Sequence, residues 1–219
     1  MKTEHSLDLT AHFALEGSQP FKDRRATMPW RGAIPIAKEL LSQTWQDVIS
    51  QPTPPRKRLV YLHIPFCATH CTFCGFYQNR FEEDHCARYT NALLREIEME
   101  ADSALHQSAP IHAVYFGGGT PSALSARDLA RIITALRDKL PLAPDCEITI
   151  EGRVLNFDDA RIDACLDAGA NRFSIGIQSF NSRIRKKMAR TSDGPTAIAF
   201  MQGLVKRDRA AVVDRKSVV

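Results

Sequence analysis

From Arg58 onward the chain alternates short apolar runs with amphipathic stretches, a pattern that restricts it to a parallel sheet with crossover helices. RLVYLHIP (58–65), ended by a proline, reads as the first strand. Glu83 to Leu105 follows as a helix, with Tyr89, Leu93, Ile97, Ala101 and Leu105 recurring every four residues on one face. HAVYF (112–116) is a second strand running into GGGTP, and Ser125 with Asp128 forms a capping box for a second helix. That helix turns Leu129, Ile132, Ile133, Leu136 and Leu140 to the core. EITIEG (147–152) is the third strand; a short helix carrying Ile162 and Leu166 stops near Gly169. RFSIGIQSF (172–180) is the fourth strand, polar helical sequence runs through Arg190, and another helix lies near Thr196 to Val205. AAVV (210–213) opens a fifth strand. Residues 1–57 show little periodicity and end in SQPTPPRKR, whose prolines forbid a regular helix or inner strand, so they read as an arm and linker.

The net charge of +4 is mild, and the basic residues are interspersed with acidic ones instead of forming a stripe with aromatics. Nucleic-acid binding is not indicated. No apolar run approaches a membrane span and MKTEHSLDLTAHF lacks a signal-peptide pattern, so the chain is expected in the cytoplasm. Three of the six cysteines fall within eight residues, which favours metal or redox chemistry over a disulfide framework. Cys86, Cys146 and Cys165 stand apart and read as small buried hydrophobes.

Cys67, Cys71 and Cys74 form a C-x3-C-x2-C array on the loop after the first strand. Thiolates on such a loop can hold three irons of a 4Fe-4S cube and leave the fourth open. A zinc site is the competing reading, although structural zinc wants four closed ligands and the fourth here is His70 or a distant group. His63 and His70 also invite haem ligation, but a histidine on a strand or beside a cluster more often packs or hydrogen-bonds. GGGTP leaves backbone amides unscreened, so they can approach a ligand, although a tight turn without a ligand uses similar residues. Glu151 and Gln178 close the next two strands. A strand-end charge is often merely solvated. Opposite a zwitterionic ligand, however, a carboxylate can hold an ammonium and a guanidinium such as Arg190 a carboxylate. In a right-handed parallel barrel all these strand ends meet at one rim.

The runs YLHIPFCATHCTFCGFYQN, GGGTP, IEG and RFSIGIQSF, in this order on successive strand ends, resemble the radical S-adenosylmethionine superfamily over residues 58–213. The resemblance lies in the branch of oxygen-independent coproporphyrinogen III oxidases and their relatives. CGFYQN and the MPWRG of the arm are most similar to its haem-utilisation members, the anaerobic haem-degrading methyltransferases or anaerobilin synthases. Phe76 stands where the bacterial coproporphyrinogen enzymes carry a fourth cysteine, which argues against the oxidase.

The resemblance implies an α/β fold, a partial parallel (β/α) barrel with about four to five of six βα units behind an N-terminal arm. It implies that Cys67, Cys71 and Cys74 ligate a 4Fe-4S cluster. Tyr61, Phe73, Gly118, Gly119, Thr120, Glu151, Gln178 and Arg190 match positions that contact S-adenosylmethionine, with Gln178 at the ribose. The implied substrate is haem or a porphyrinogen and the electron donor a reduced flavodoxin-like protein. Haem methylation, ring opening and iron release is the implied reaction, with coproporphyrinogen decarboxylation or haem transfer as alternatives. The cofactors do the hard chemistry, and no side chain is required as an acid–base catalyst.

The family barrel continues past the fifth strand, whereas this sequence runs AAVV into DRKSVV. Those six residues, 214–219, are what the short-read sequencing adapter GATCGGAAGAGCGTCGTG encodes, so they are expected to be non-native and the core, 58–213, truncated and inactive. Asp214 is therefore not carried over as a ribose ligand. An uncovered strand edge is expected to make such a chain prone to aggregate.

Overall fold

The computed structural model describes residues 33–54, 56–75, 79–207, 209 and 212–215. MPWRG and Phe76 to Gln78 lie outside the described residues. The chain divides into two units, residues 1–41 and 42–219. In the first, a 3-10 turn spans Lys38–Leu40. Helix α1, Leu41–Ile49, lies in the stretch that the sequence reads as an arm. Its Leu41, Trp45 and Val48 recur at i, i+4 and i+7, a short helical face, and Trp45 Nε1 donates to Glu100 Oε1 at 2.9 Å.

The second unit is built on five parallel strands in the order β1 (Leu59–Ile64), β4 (Ile111–Gly118), β5 (Leu142–Gly152), β6 (Arg172–Ile175) and β7 (Val212–Arg215). Each crossover moves one strand in the same direction, the progression of a (β/α) barrel, but the sheet is open, with β1 and β7 as its edges. Two short strands, β2 (Phe66–Cys67) and β3 (Asn79–Arg80), pair in parallel and pin the two ends of the cysteine loop together.

Strand alternation sorts the two faces of the sheet. Leu62 and Ile64 of β1, Val114 and Phe116 of β4, Ile148 and Ile150 of β5, and Phe173 and Ile175 of β6 are buried in one apolar core. The core is covered by α2 (Glu83–Glu100), α4 (Ala126–Lys139) and α5 (Asp159–Ala168), together with α7 (Gly194–Lys206). The opposite face carries Tyr61, His63, Tyr115, Thr149, Glu151, Arg172 and Ser174.

Leu129, Ile132, Ile133 and Leu136 of α4 are fully buried, and the capping box forms: Asp128 N donates to Ser125 Oγ at 3.0 Å and Ser125 Oγ to Asp128 Oδ2 at 2.9 Å. Gly169 stops α5 at φ +112°, a left-handed cap in which its N–H reaches the Cys165 and Leu166 carbonyls. Several boundaries differ from the periodicity, β4 among them, which runs from Ile111 to Gly118. Helix α2 ends at Glu100, and Leu105 sits on a separate turn, α3 (Ala104–Gln107), capped by Ser103. Strand β5 starts at Leu142, its extra residues entering through a register break between Ile111 and Ala113 that accommodates Pro144. Strand β6 ends at Ile175, where the chain turns out of the ladder, Ile177 N donating to Ile175 O at 2.8 Å and Ser179 N to Ile177 O at 2.7 Å, with Gln178 between them at φ +60°.

Cys86, Cys146 and Cys165 are buried and unpaired, as expected of small hydrophobes. Burial alone pushes the Cys165 thiol up to about 12, and burial also raises the thiols of Cys86 and Cys146. Because alkylation needs the thiolate, iodoacetamide at pH 8 should leave all three unmodified in the folded chain and label them after denaturation, read by mass spectrometry. Among the described residues no helix is long and apolar enough to cross a membrane.

Candidate functional site

The cysteine loop leaves β1 at Pro65 and is held at both ends by backbone bonds, Asn79 N to Pro65 O at 3.2 Å and Phe81 N to Cys67 O at 2.9 Å. Cys67 and Cys71 are buried, Cys74 is partly exposed, and none of the three is in a disulfide. A turn closes between the last two, with Cys74 N donating to Cys71 O at 3.0 Å, and His70 Nε2 lies 3.3 Å from Cys74 O. His70 thus serves the loop backbone. Among the described residues no three His, Cys, Asp or Glu side chains gather closely enough to hold one metal ion. A single zinc requires its ligands about 2.3 Å from a common point. A cube takes one cysteine at each corner iron, so its ligands stand apart.

The first two glycines of GGGTP end β4, and the run lies against the cysteine loop. Cys67 Sγ is 3.2 Å from Thr120 Oγ1, and Gly119 N donates to Ile64 O at 2.8 Å. A Cβ on Gly119 would stand 2.8 Å from Phe66 O and 3.1 Å from Cys67 Sγ. Gly118, at φ +108°, would bring one to 2.8 Å from the His63 ring. The glycines are therefore required first by the close passage of this loop over β1 and the first cysteine, a constraint that the unscreened-amide argument does not contain.

Tyr61 and Glu151 meet through Tyr115. The Tyr61 and Tyr115 rings stack with centroids 6.3 Å apart and planes 14° apart, and Tyr115 OH donates to Glu151 Oε1. Burial, and then that bond, hold the Tyr115 phenol up at about 12, so it remains a donor across the working range. Tyr61 OH lies 3.2 Å from His63 Nδ1, which gives that histidine a hydrogen-bonding role on β1.

The third group comes from the segment after β6. Gln178 is buried in its left-handed conformation, and its Oε1 has no partner. Arg190 places its guanidinium 5.6 Å from the centre of the Phe73 ring, and its buried Nε also lacks a partner. Both side chains lie over Gly176, where a Cβ would be 3.3 Å from Gln178 Nε2 and 3.4 Å from Arg190 Nη2. Burial, then the neighbouring Arg153 cation, lower the Arg190 guanidinium to about 10, while Cys71 and Cys74 pull the other way. A non-glycine residue at positive φ with orphaned buried polar atoms beside it is the signature of a site built for a ligand.

Sequence reasoning did not single out Arg153, Tyr115 or Arg185. Arg153 Nη1 and Nη2 donate to Thr69 O and Thr69 Oγ1 at 3.1 and 2.9 Å, inside the cysteine loop. No local pattern of the sequence marks that contact, which spans 84 residues. The donor set suits an anionic iron–sulfur cluster and an amino-acid-bearing ligand: three cysteines outside any disulfide, and two largely buried guanidiniums, Arg153 and Arg190, that enter none of the ion pairs among the described residues.

The model of the radical SAM superfamily matches residues 61–212. Over 97% of its length the chain is 84% identical to an anaerobilin synthase from Escherichia coli O157:H7, covering 48% of that protein. It is 37% identical to an oxygen-independent coproporphyrinogen III oxidase from Paracoccus denitrificans, over 60% of the chain and 29% of that protein. Among solved structures, the coproporphyrinogen III oxidase HemN from Escherichia coli superposes with a TM-score of 0.68 at 27% identity, over 79% of this chain and 39% of that one. The chain spans about half the length, or less, of the curated relatives it matches.

Proposed function

Because this chain belongs to the radical SAM superfamily, whose members use a 4Fe-4S cluster and S-adenosylmethionine, we propose that it is the cofactor-binding part of an enzyme acting on a tetrapyrrole. Haem methylation with ring opening and iron release is the reaction we favour. The observation that carries the reading is the placement, at the strand ends, of three cysteines on one loop with two guanidiniums, Arg153 and Arg190, beside it. The 84% identity to a protein named anaerobilin synthase supports haem as substrate.

In this reading Cys67, Cys71 and Cys74 hold the cluster. When bound, the cluster supplies the electron that cleaves the sulfonium of S-adenosylmethionine. The chain's own part is binding and orientation. Arg190, stacked on Phe73, offers a guanidinium to the methionine carboxylate, and Gln178 offers its unpartnered oxygen to a ribose hydroxyl. Glu151, steadied by the Tyr115 phenol with Tyr61 stacked behind it, presents a carboxylate to the ammonium. Thr120 and the backbone of Gly118 and Gly119 wall the site beside Cys67.

None of the six cysteines is in a disulfide, which supports a reducing compartment, the cytoplasm, and a reduced flavodoxin-like donor fits such a setting. A second reading, decarboxylation of coproporphyrinogen III, draws on the likeness to HemN. Anaerobic incubation of the full gene product with haem, reductant and S-adenosylmethionine separates the readings. Loss of the Soret band with release of iron is expected; haem bound intact would favour haem transfer, and carbon dioxide formed from coproporphyrinogen the oxidase.

A further inference from the structure

Arg153 brings a positive charge into the protein interior, and no carboxylate among the described residues pairs with it. Its side chain is 7% exposed, its Nε is buried without a partner, and it enters none of the ion pairs among the described residues. A guanidinium in that situation is costly unless an anion arrives beside it. Its two terminal nitrogens instead clasp one residue, Thr69, through the carbonyl at 3.1 Å and the hydroxyl at 2.9 Å. Thr69 lies midway between Cys67 and Cys71. The backbone of Arg153 is fixed in turn, since its N–H donates to Ser122 Oγ at 3.2 Å, in the 3-10 turn that follows GGGTP. One residue thus joins the end of β5, the glycine loop and the cysteine loop.

The charge lies at the loop of the thiols: Thr69, which the Arg153 guanidinium clasps, is two residues from Cys67 and two from Cys71, and Arg190 over the Phe73 ring brings a second guanidinium to the same loop.

We propose that Arg153 is a positioning residue for the iron–sulfur cluster: its fork fixes the loop between the first two cysteine ligands, and its buried charge favours the reduced cluster. The inference rests on the cluster reading given above. One-electron reduction adds a negative charge to the cluster and moves no proton or bond, so a nearby fixed cation raises the midpoint potential. Thr69 supplies both acceptors of the fork, so the mechanical and electrostatic contributions can be separated by substitution.

The test uses the whole chain, reconstituted anaerobically with iron and sulfide, as wild type, R153Q, R153K and T69V. Iron content, the rate of cluster loss to a chelator and the midpoint potential from an EPR-monitored dithionite titration are measured. R153Q is expected to hold its cluster at a more negative potential and lose it several-fold faster. R153K, which keeps the charge but not the planar fork, is expected to keep the potential and lose the cluster faster. T69V leaves the charge in place and removes one acceptor, and should behave like R153K. If R153Q does not fold, R153K and T69V decide: cluster loss at the wild-type rate in both overturns the proposal. An unchanged potential in a folded R153Q overturns it equally. A wild-type chain that takes up iron without forming a cluster overturns the reading on which it rests, a result distinct from either.

Discussion

Replacing Cys67, Cys71 and Cys74 together with alanine abolishes iron–sulfur reconstitution, while replacing Cys86, Cys146 and Cys165 with serine leaves it intact. The two sets are chemically the same residue and differ in placement. The first lies on one loop closed by the β2–β3 pair. The second is distributed through the core, with Cys165 fully buried and its thiol held at about 12. The loss in the first set should exceed the roughly 10- to 100-fold that removing an outer partner of a metal site costs. Iron and sulfide per chain and the absorbance of the cluster give the answer directly. Retention of the cluster by the triple alanine variant, or equal loss in C165S, would contradict the assignment.

The second large effect is expected at Arg185, in α6 (Ser182–Lys187), which is 1% exposed. Its guanidinium donates to Ile177 O at 2.7 Å, Ser179 O at 3.0 Å, Ser192 O at 2.7 Å and Ser192 Oγ at 2.6 Å. It therefore ties down the segment that presents Gln178 in its left-handed conformation and Arg190 over Phe73. R185M keeps much of the volume and leaves the Ser179 and Ser192 carbonyls without their donor, while Ile177 O keeps the Ser179 N–H at 2.7 Å. The expected cost is about 3 kcal/mol or more in unfolding free energy, since each buried unsatisfied polar group costs about 1–3 kcal/mol. The variant should also bind S-adenosylmethionine more weakly, because the two side chains assigned to that ligand lose their support. A denaturant midpoint equal to that of wild type would show that the network is dispensable.

The strands and helices of the core were legible because their periods differ. Val114 and Phe116, or Ile148 and Ile150, alternate as a strand with one buried face must, and Leu129, Ile132, Ile133 and Leu136 recur as a helix packed on one side must. The site was legible where residue chemistry is narrow: three cysteines in a loop, glycines at a strand end, Glu151, Gln178 and Arg190. Helix α1 escaped notice because its apolar face is only three residues long. The early start of β5 was hidden by Pro144, which argues against a strand unless a register break takes it out of the ladder. Arg153, Tyr115 and Arg185 were invisible for a different reason. Their importance lies in contacts 36 to 84 residues away for Tyr115 and Arg153, and in a buried set of carbonyls for Arg185, and no local pattern encodes either.

The central claim is that the three cysteines hold a cluster with one iron open to S-adenosylmethionine. The most direct measurement is the EPR spectrum of the anaerobically reconstituted, dithionite-reduced chain before and after addition of S-adenosylmethionine. The account predicts a 4Fe-4S signal whose shape changes when S-adenosylmethionine is added, and changes less in R190M. A chain that binds zinc in place of a cluster, or a cluster signal indifferent to S-adenosylmethionine, would contradict it.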